Sequence, residues 1–355
     1  MAREVIVIGA GIVGASIAWH LARVGAKVTI LDKAESGGVA TPCSFGWINA
    51  SFGNPEPYYR LRIRAMAEWK RLAAEVPDLP VRWQGGLCWD RPRAELEGLG
   101  AEHASWGYGV RELGRDEIAR IEPNLTAPPD FALLVAEEGA AEPQAVARML
   151  TADAQKRGAR LVADAEVHAL YMGSASHARV ETNDKTFEAD EIVLAAGAAS
   201  AALANTAGII LPMNTPPGLL VHSRPHPPLL NGLVMADRVH MRQTVEGRLV
   251  AGADYGGADP GPDAEATARG LFDTMKSMLK GAEALQYEGY TLGFRPTPLD
   301  GFPALGRSKG IGNLYIAVTH SGITLAPAIG HFAAQEILDG IRDPLLAPYG
   351  ADRFD

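Results

Sequence analysis

The chain has 355 residues, a formal net charge of −9 and a hydrophobic fraction of 47%. This length allows two domains, or one large α/β unit that carries an inserted module. The acidic balance argues against a nucleic-acid partner, because binding to phosphate backbones requires a basic face. No apolar run is long enough to span a bilayer, so we expect a soluble globular protein, for which peripheral contact with a membrane is still possible.

The cysteine content indicates a reducing environment. Cys43 and Cys88 are the two cysteines of the chain, which is too few for a disulfide framework or for a set of zinc ligands. We therefore expect a cytoplasmic protein that binds no metal.

The stretch from residue 4 to residue 32 has the pattern of a βαβ unit that binds a dinucleotide. A short apolar run at 5–8 predicts a buried parallel strand, which is followed by Gly9, Gly11 and Gly14 and then by a helical pattern. A second apolar strand at 28–31 ends on Asp32. Glycines between a strand and a helix, with an acidic residue at the end of the next strand, are typical of a dinucleotide site.

Each of these residues has a physical task in such a site. Gly9 allows the tight turn, Gly11 lets a pyrophosphate approach the backbone, and Gly14 lets the helix pack closely on the strand. The helix N-terminus offers free N–H groups and a partial positive charge to the phosphates. The carboxylate of Asp32 suits a pair of ribose hydroxyls and would repel a 2′-phosphate, which favours FAD or NAD over NADP.

The rest of the first half alternates between helical and strand patterns. Residues 36–55 are rich in Gly, Ser, Thr and Asn and are too long for an ordinary connection, which is typical of a functional loop. The elements predicted next are a helix over 57–76, short pieces over 77–129 with one strand at 85–89, a helix over 142–158, strands at 160–162 and 166–170, a hairpin turn at 183–185, and a buried strand at 191–197 that returns to the parallel sheet.

Residues 211–290 change character, because proline-rich turns separate short strands there. Strands at 219–223, 239–243 and 248–252 predict an antiparallel sheet, to which the 80–135 segment also belongs, and a helix covers 264–279. The chain closes with a strand at 313–318 and a helix that begins at about Pro327 and is capped by Gly340.

Four motifs give the chain a resemblance to a known family. They are the stretch from Gly9 to Asp32, the strand that runs into Ala195-Ala196-Gly197, the segment GFRPTPLDGFP at 293–303 and the segment THSGITLAP at 319–327. In this order they resemble the D-amino acid oxidase family, with the glycine/sarcosine oxidase branch nearest. The resemblance covers almost the whole chain and is strongest at its two ends.

The resemblance implies an α/β fold with two domains. A Rossmann-like FAD-binding domain with a parallel sheet would be assembled from residues 1–80, 140–210 and 291–355. A substrate-binding domain with an antiparallel sheet, formed by residues 81–139 and 211–290, would cover the flavin.

The resemblance also implies which residues hold FAD. Gly322, Ile323 and Thr324 would lie at the pyrimidine end of the ring, where a helix start favours the negative charge of a reduced flavin. We expect dissociable FAD, because no cysteine lies in the C-terminal third. The other expected contacts are Gly9, Gly11 and Gly14 at the pyrophosphate, Asp32 and Lys33 at the adenosine ribose, Val167 at the adenine, Ser44, Phe45 and Gly46 along the isoalloxazine, and Ala196, Gly197 and Gly293.

Arg295 is the side chain best suited to hold a substrate. It lies between Phe294 and Pro296, and no acidic residue follows before Asp300. A guanidinium in such an apolar turn needs an anion, and its planar fork fits a carboxylate with two hydrogen bonds. In the family, the arginine of this motif binds the substrate carboxylate. The alternatives are an internal salt bridge to Asp300 and a contact that caps a backbone carbonyl.

His240, Arg242 and Trp47 are further candidates for contact with the substrate. His240 and Arg242 alternate on one predicted strand and so point to the same face. Relatives often carry a tyrosine at the position of His240, facing the substrate, and a histidine there could act in catalysis; a half-exposed histidine on an edge strand is the alternative. Arg242 could bind a second carboxylate, although a solvated charge is the simpler interpretation. Trp47 could shape the substrate mouth or simply pack.

These features predict an FAD-dependent oxidoreductase that acts on a primary or secondary amino acid. The substrate α C–H would give a hydride to flavin N5, and the imine would hydrolyse in water, which requires positioning more than a strong base. Electrons would pass to oxygen, a quinone or a partner protein. The alternatives are an NAD-dependent dehydrogenase, which the 322–327 segment disfavours, and a non-catalytic or electron-passing flavin subunit of a hetero-oligomeric amine dehydrogenase.

Overall fold

The N-terminal glycine motif folds into the predicted βαβ unit. In the computed structural model, which describes residues 2–173, 178–254, 256–308 and 311–354, the motif forms strand β1 (Glu4–Ile8), helix α1 (Ile12–Arg23) and strand β2 (Lys27–Leu31). The two strands pair in parallel, with Ile8 opposite Leu31. β1 is buried beyond its first residue, as its uninterrupted apolar run predicts.

The remaining elements follow in chain order. The later helices are α2 (Glu56–Glu75), α3 (Arg93–Ser105), α4 (Arg115–Ile121), α5 (Pro143–Lys156), α6 (Ser200–Thr206), α7 (Ala264–Ser277) and α8 (Gly322–Asp339). The later strands are β3 (Trp47–Ile48), β4 (Val81–Arg82), β5 (Gly86–Trp89), β6 (Val110–Gly114), β7 (Phe131–Val135), β8 (Gly139–Ala141), β9 (Arg160–Val162), β10 (Val167–Met172), β11 (Ala178–Thr182), β12 (Thr186–Ala189), β13 (Glu191–Leu194), β14 (Met213–Asn214), β15 (Pro217–Ser223), β16 (Leu233–Ala236), β17 (His240–Gln243), β18 (Leu249–Gly252), β19 (Tyr287–Phe294), β20 (Thr297–Pro298), β21 (Ala304–Ser308) and β22 (Ile311–Val318).

A mainly parallel sheet forms one layer of the fold. Its strand order is β21-β22-β13-β1-β2-β9, and β21 at the edge runs antiparallel to its neighbour. The strand predicted to return to this sheet is β13, which pairs with β1 so that Ile8 lies opposite Leu194. Helix α1 packs against both α5 and α8, and its Trp19 is fully buried in the same hydrophobic core. The predicted α/β fold class is thus confirmed.

A second large sheet takes its strands from two separate parts of the chain. Its order is β19-β15-β18-β17-β16-β5-β7-β6, and neighbouring strands are antiparallel except for the parallel pair β16 and β5. Phe272 and Met275 of α7 are buried in the same hydrophobic cluster as residues of this sheet. The mixed origin of the strands supports the division into an FAD domain and a substrate domain, which we keep as a proposal. β19 reaches Phe294, beyond the proposed boundary at 290.

A small sheet ties the long loop at 36–55 to the rest of the fold. β8 pairs with both β3 and β4, with Trp47 opposite Ala140 and Val81 opposite Ala141. The loop therefore contains a short strand. Among the described residues no helix is both long enough and apolar enough to cross a membrane.

Helix α8 begins earlier than predicted, at Gly322 instead of about Pro327. A proline inside a helix removes the hydrogen bond to the carbonyl four residues before it, which here belongs to Ile323. The Nε1 group of the buried Trp69 donates to this carbonyl at 3.0 Å and replaces the missing donor. Gly340 ends the helix with a φ of 71°, as predicted.

Helices α3 and α4 lie in the 77–129 region, where the sequence predicts only short pieces and one strand. The buried residues of α3 are Leu96, Gly100 and His103, so the helix has no continuous apolar stripe that periodicity could reveal. The short α4 buries Ile118 alone. Both helices depend on tertiary contacts with the second sheet more than on an amphipathic pattern.

Gly14 and Gly270 provide a matched test of the packing between α1 and β1. A Cβ at residue 14 would lie 1.9 Å from the Gly9 carbonyl oxygen, whereas a Cβ at residue 270 of α7 would meet no atom within 4 Å. We expect Gly14→Ala to lower the free energy of unfolding by at least about 3 kcal/mol, because α1 must move away from the strand. Gly270→Ala should raise it by up to about 1 kcal/mol through helix propensity. Urea unfolding measures both changes, and equal stabilities of the two variants would contradict this account of Gly14.

Candidate active site

A cavity of about 550 Å³ is lined by residues of both large sheets. Leu31 and Val318 come from the carboxyl ends of parallel strands, and Leu220 and Phe294 come from the second sheet. The carboxyl edge of a parallel sheet is where dinucleotides bind in folds of this kind.

Gly9 and Gly11 of the glycine turn line this cavity, and the turn leaves little room for side chains. Gly9 has a φ of 103°, and a Cβ there would lie 2.4 Å from the Ala195 carbonyl oxygen. A Cβ on Gly38 would lie 2.6 Å from the Cα of Gly11, so these two backbones also approach closely. Ile12 at the start of α1 donates its N–H to Thr41 Oγ1 at 3.1 Å. The result is a backbone cradle at a helix N-terminus, which fits the pyrophosphate of FAD.

Asp32 connects the end of β2 to this turn. One carboxylate oxygen accepts the Ala10 N–H at 2.6 Å, and the other accepts the Ala34 N–H at 3.0 Å. The side chain is therefore fixed in place while its remaining lone pairs can accept hydroxyl groups. Lys33 and Val167 also line the cavity.

The early loop contributes to the wall of the cavity. Ser44, Phe45 and Gly46 line it, and their contact with the isoalloxazine stays a prediction. Gly46 has a φ of 90°, and a Cβ there would lie 2.4 Å from the Ala141 carbonyl oxygen. The predicted contacts Ala196, Gly197 and Gly293 line the cavity as well.

The N-terminus of α8 reaches the same cavity through Gly322, Ile323 and Thr324. Thr324 Oγ1 donates to the Trp47 carbonyl at 3.2 Å and accepts the Asn49 N–H at 3.4 Å. The helix start is thus joined to β3, and its partial positive charge favours an anionic group beside it.

Arg62 is a cavity residue that the sequence interpretation missed. Its guanidinium is buried and donates to Asn49 O at 3.0 Å, to Asn49 Oδ1 at 2.6 Å and to Ser321 Oγ at 2.9 Å. Within the described ranges it forms no ion pair, so its charge is held by neutral oxygens. The signal was present in the sequence, because Arg62 follows Tyr58 by four residues and so lies on the apolar face of α2.

Arg295 lines the cavity, and its Nε is buried without a hydrogen-bond partner among the described residues. The guanidinium packs against Gly256, where a Cβ would lie 2.4 Å from its nitrogen. The predicted alternative of a salt bridge to Asp300 is wrong, because Asp300 binds Arg353 at 2.7 and 2.9 Å. Arg295 forms no ion pair with the part of the chain that is described.

Arg242 is buried and does not line the cavity. The side chain is 2% exposed, donates to both oxygens of Glu142 at 2.9 and 3.1 Å and also donates to the Phe45 carbonyl. It does not line the cavity, so both a second carboxylate site and a solvated charge are wrong interpretations. A buried ion pair that fixes Phe45 is what the contacts show.

His240 is also buried behind the cavity wall. It lies on β17 between β16 and β18, and not on an edge strand, and it is 2% exposed. Its Nε2 is 3.4 Å from Asp90 Oδ2, and Asp90 rather than His240 lines the cavity. Direct contact of His240 with a substrate therefore has no support in the geometry, because Asp90 lines the cavity and His240 does not.

Asp90 is the second missed residue. Burial by itself would raise the pKa of this carboxyl group, but hydrogen bonds with His240 and Cys88 lower it below its usual value. The Cys88 thiol donates at 3.2 Å. Asp90 follows directly after β5, and no motif marked it in the sequence.

Two further residues, the predicted Trp47 and also His320, line the cavity. Trp47 does so while its Nε1 donates to Glu138 Oε2 at 2.8 Å. His320 does so while its Nε2 lies 2.8 Å from the Gly301 carbonyl oxygen. Burial, together with the charge of Arg62, lowers the pKa of His320 to about 4, so the imidazole is neutral at physiological pH.

One group among the described residues has the spacing of metal ligands, namely His20, Glu68 and His331. Glu68 is already paired with Arg64 at 2.9 Å and with Arg71 at 2.7 Å. Arg71 also contacts His20 Nε2 at 2.8 Å. A cation would have to displace these guanidinium groups, so the cluster is an ion-pair network; the expected absence of a metal stays a prediction.

Comparisons with known proteins agree with this geometry. A family model described as DAO, FAD dependent oxidoreductase, matches residues 4–336. Glycine oxidase of Bacillus licheniformis is 30% identical over 352 residues, which are 94% of this chain and 93% of that protein. One of the opine oxidase subunits of Agrobacterium tumefaciens is 26% identical, and the match covers 99% of this chain and 97% of that protein. The crystal structure of glycine oxidase from Geobacillus kaustophilus has a TM-score of 0.88 and 25% identity, with 99% of each chain covered.

The predicted cofactor, FAD, and the predicted class of enzyme, an FAD-dependent oxidoreductase, are thereby confirmed. The alternative of an NAD-dependent dehydrogenase is wrong, because the matching family uses FAD. The chain belongs to the DAO family of FAD-dependent oxidoreductases, in its glycine oxidase-like branch.

Proposed function

We propose that the protein oxidises a small amine that carries a carboxylate, with Arg295 as the group that binds the carboxylate. The observation that carries this proposal is the buried Nε of Arg295, which has no partner in the described chain although it lines the cavity. A buried donor without an acceptor is costly, and a bound carboxylate would supply that acceptor. Two parallel N–H···O bonds would also orient the substrate.

The amine end of the substrate has an acidic partner in the same cavity. The Asp90 carboxylate stays ionised at neutral pH, since its pKa is lowered, and an ammonium group is its natural ligand. Arg295 and Asp90 would thus recognise the two charged groups of an amino acid. The neutral His320 adds no positive charge that would repel the ammonium group.

The protein contributes binding and orientation to the reaction. Bound FAD supplies the two-electron oxidation by accepting a hydride from the substrate α C–H. Arg295 fixes the carboxylate, Asp90 holds the amine, and Arg62 together with the N-terminus of α8 provides positive potential on one wall. The ammonium group must also lose a proton, because its nitrogen needs a lone pair to form the C=N bond, and the Asp90 carboxylate would accept that proton. The imine would then leave and be hydrolysed by water.

The FAD site itself is proposed from the predicted residues, all of which line the cavity except Gly14, which instead lets α1 pack on Gly9. The pyrophosphate would lie at Gly9, Gly11 and Gly14, the ribose at Asp32, and the ring beside Phe45. We expect no covalent attachment to Cys43, because burial raises the pKa of its thiol and keeps it protonated.

The named relatives support oxidation of an amino acid, and oxygen is a suitable electron acceptor by the same comparison. The relative from an opine oxidase keeps a second candidate open, in which this chain passes electrons within a hetero-oligomer. The cytoplasmic location, the absence of a nucleic-acid partner and peripheral membrane contact stay predictions.

Replacement of Arg295 tests the carboxylate site. We expect Arg295→Ala to lower kcat/KM for a carboxylated amine by the equivalent of about 2–5 kcal/mol, because the substrate carboxylate loses its buried partner. Arg295→Lys should recover part of the loss, since a lysine keeps the charge without the planar fork. Arg353→Ala is the matched control, because Arg353 lies in the same region but binds Asp300 outside the cavity. Equal kinetics of Arg295→Ala and wild-type enzyme would show that Arg295 has no role in binding.

Replacement of Asp90 tests the amine site. We expect Asp90→Asn to raise KM for the same amine about tenfold or more, because an ammonium group loses an ionised acceptor. Binding of a carboxylate without an amine, such as acetate, should not weaken. Asp300→Asn is the matched control outside the cavity. A parallel loss of acetate and amine binding would mean that Asp90 only maintains the shape of the cavity.

Anaerobic mixing of the purified holoenzyme with an amino acid panel tests whether the chain is catalytic. A catalytic chain should bleach the flavin absorbance within its turnover time, whereas an electron-passing chain should not bleach without its partner. Readmission of air and a peroxide assay then distinguish an oxidase from a dehydrogenase. Wild-type protein that fails to bleach with every carboxylated amine would support the electron-passing role.

A further inference from the structure

Beside the cavity, the Glu138 carboxylate is buried and accepts hydrogen bonds from three side chains. The side chain is 1% exposed. Its donors are Trp47 Nε1 at 2.8 Å, the Ser51 hydroxyl and the Tyr108 hydroxyl. No lysine or arginine of the described chain forms an ion pair with it. Such a group is costly to bury, so its persistence requires that the surrounding donors fix it well.

The fold leaves a space for this carboxylate. A Cβ on Gly86 of β5 would lie 2.4 Å from Glu138 Oε2 and 3.6 Å from Trp47 Nε1. Any other residue at position 86 would push the carboxylate away from the indole. Glu138 also precedes β8 directly, and β8 pairs with β3 so that Trp47 lies opposite Ala140.

The contacts of Glu138 converge on residues 47–51, which we call the wall segment. Trp47 and Ser51 bind the carboxylate directly, and Tyr108 relays a third contact because its hydroxyl accepts the Ala50 N–H at 3.0 Å. Trp47, Asn49 and Ser51 of the wall segment line the cavity.

Arg62 holds the wall segment as well. Its guanidinium binds Asn49 through both the backbone carbonyl and the side-chain oxygen, and it extends to Ser321 before α8. Glu138 and Arg62 therefore both hold the same five residues without forming an ion pair with each other. The two opposite charges still attract, and each reduces the cost of burying the other.

We propose that Glu138 is a positioning residue that fixes Trp47 in the wall segment, and that it thereby limits the size of the carboxylate ligand that the cavity accepts. This inference rests on the proposed function only in that carboxylates bind in the cavity. Glu138 acts through Trp47 and Ser51 and does not itself line the cavity.

The charge state of Glu138 makes the inference measurable. Burial raises the pKa of Glu138 from the usual 4.5 to about 7, although its three donors and the charge of Arg62 act to lower it. The other titratable groups that face it are Cys88 on β5 and Tyr108, both of whose pKa values are raised mainly by burial. Since the folded-state pKa exceeds the unfolded value, the contribution of Glu138 to stability is present below about pH 4.5 and is lost as the pH rises to about 7.

The test is the ratio of binding constants for a large and a small carboxylate. Holoenzyme is titrated with benzoate and with acetate, and binding is followed by the change in flavin absorbance. In Glu138→Gln one of the two acceptor oxygens becomes an NH2 group, so either the indole N–H loses its acceptor or both hydroxyl groups must reverse and accept, and in both cases Trp47 is held less firmly. We expect the ratio of the benzoate Kd to the acetate Kd to fall about tenfold, because the larger ligand gains the space that Trp47 gives up. FAD affinity should stay within about twofold, since neither Glu138 nor Trp47 belongs to the pyrophosphate cradle at Gly9 and Gly11.

Glu122→Gln is the matched control. Glu122 is equally buried, at 1% exposure, but it binds the backbone N–H groups of Asn231 and Gly232 away from the cavity. Glu122→Gln should change neither the ratio of the benzoate Kd to the acetate Kd nor the affinity for either ligand. Tyr108→Phe removes one donor and keeps the carboxylate, so it should lower the ratio of the benzoate Kd to the acetate Kd by less than Glu138→Gln does. This variant also tests the proposal if Glu138→Gln fails to fold. Trp47→Phe should mimic Glu138→Gln, and the double variant should add nothing to the ratio.

The outcomes separate the two proposals. Wild-type holoenzyme that binds neither acetate nor benzoate would refute the proposed function. Normal binding by the wild type, with an unchanged ratio in both Glu138→Gln and Tyr108→Phe, would overturn the role of Glu138. As an independent readout, the melting temperature of the wild type relative to Glu138→Gln should fall between pH 4.5 and pH 7, and a constant difference would show that Glu138 is not the buried titrating group.

Discussion

The close backbone packing around Gly9, Gly14 and Ala195 is the constraint on which the rest of the structure depends. No Cβ fits at residue 9 or residue 14, so β1, α1 and the end of β13 can meet without intervening side chains. This contact fixes the N-terminus of α1 at the carboxyl edge of the parallel sheet. Because β22 lies beside β13, the N-terminus of α8 arrives at the same edge. Two helix starts therefore face one cavity, and both favour anionic groups.

The arginines around this cavity differ in the groups that bind their guanidinium. This difference distinguishes an arginine with a structural role from one that is available to a ligand. Arg242 is neutralised by both oxygens of Glu142, so it has no capacity left for a ligand. Arg62 is held by neutral oxygens, and the Nε of Arg295 has no acceptor in the described chain. A buried charge without a counter-charge keeps its potential for whatever enters the cavity, at a cost in stability. The candidate site thus has a positive electrostatic potential that would stabilise a bound anion.

Short-range sequence relations were a good guide where the backbone alone decides the outcome. The glycine spacing at 9, 11 and 14 follows from local geometry, and so does the left-handed cap at Gly340. Sequence relations were less reliable for predicting the partners of charged side chains. Asp300 is near Arg295 in sequence, yet it pairs with Arg353, because the closing segment of the chain folds back over it. His240 and Arg242 do share a strand as predicted, but the side chains that they contact are Asp90 and Glu142, which other segments of the chain supply.

The sequence by itself determined the dinucleotide cradle and the α/β alternation. It also indicated that Arg295, in an apolar turn, needs an anionic partner. Each follows from residues close to one another in the chain, whose conformations and desolvation costs are local properties. Only the tertiary structure decided which charges stay unpaired, because that depends on residues far apart in sequence. The packing of separate segments brings such partners together. Arg62 meets Asn49 and Ser321, His240 meets Asp90, and Glu138 meets its three donors. No periodicity or spacing in one segment can encode a partner that another segment supplies.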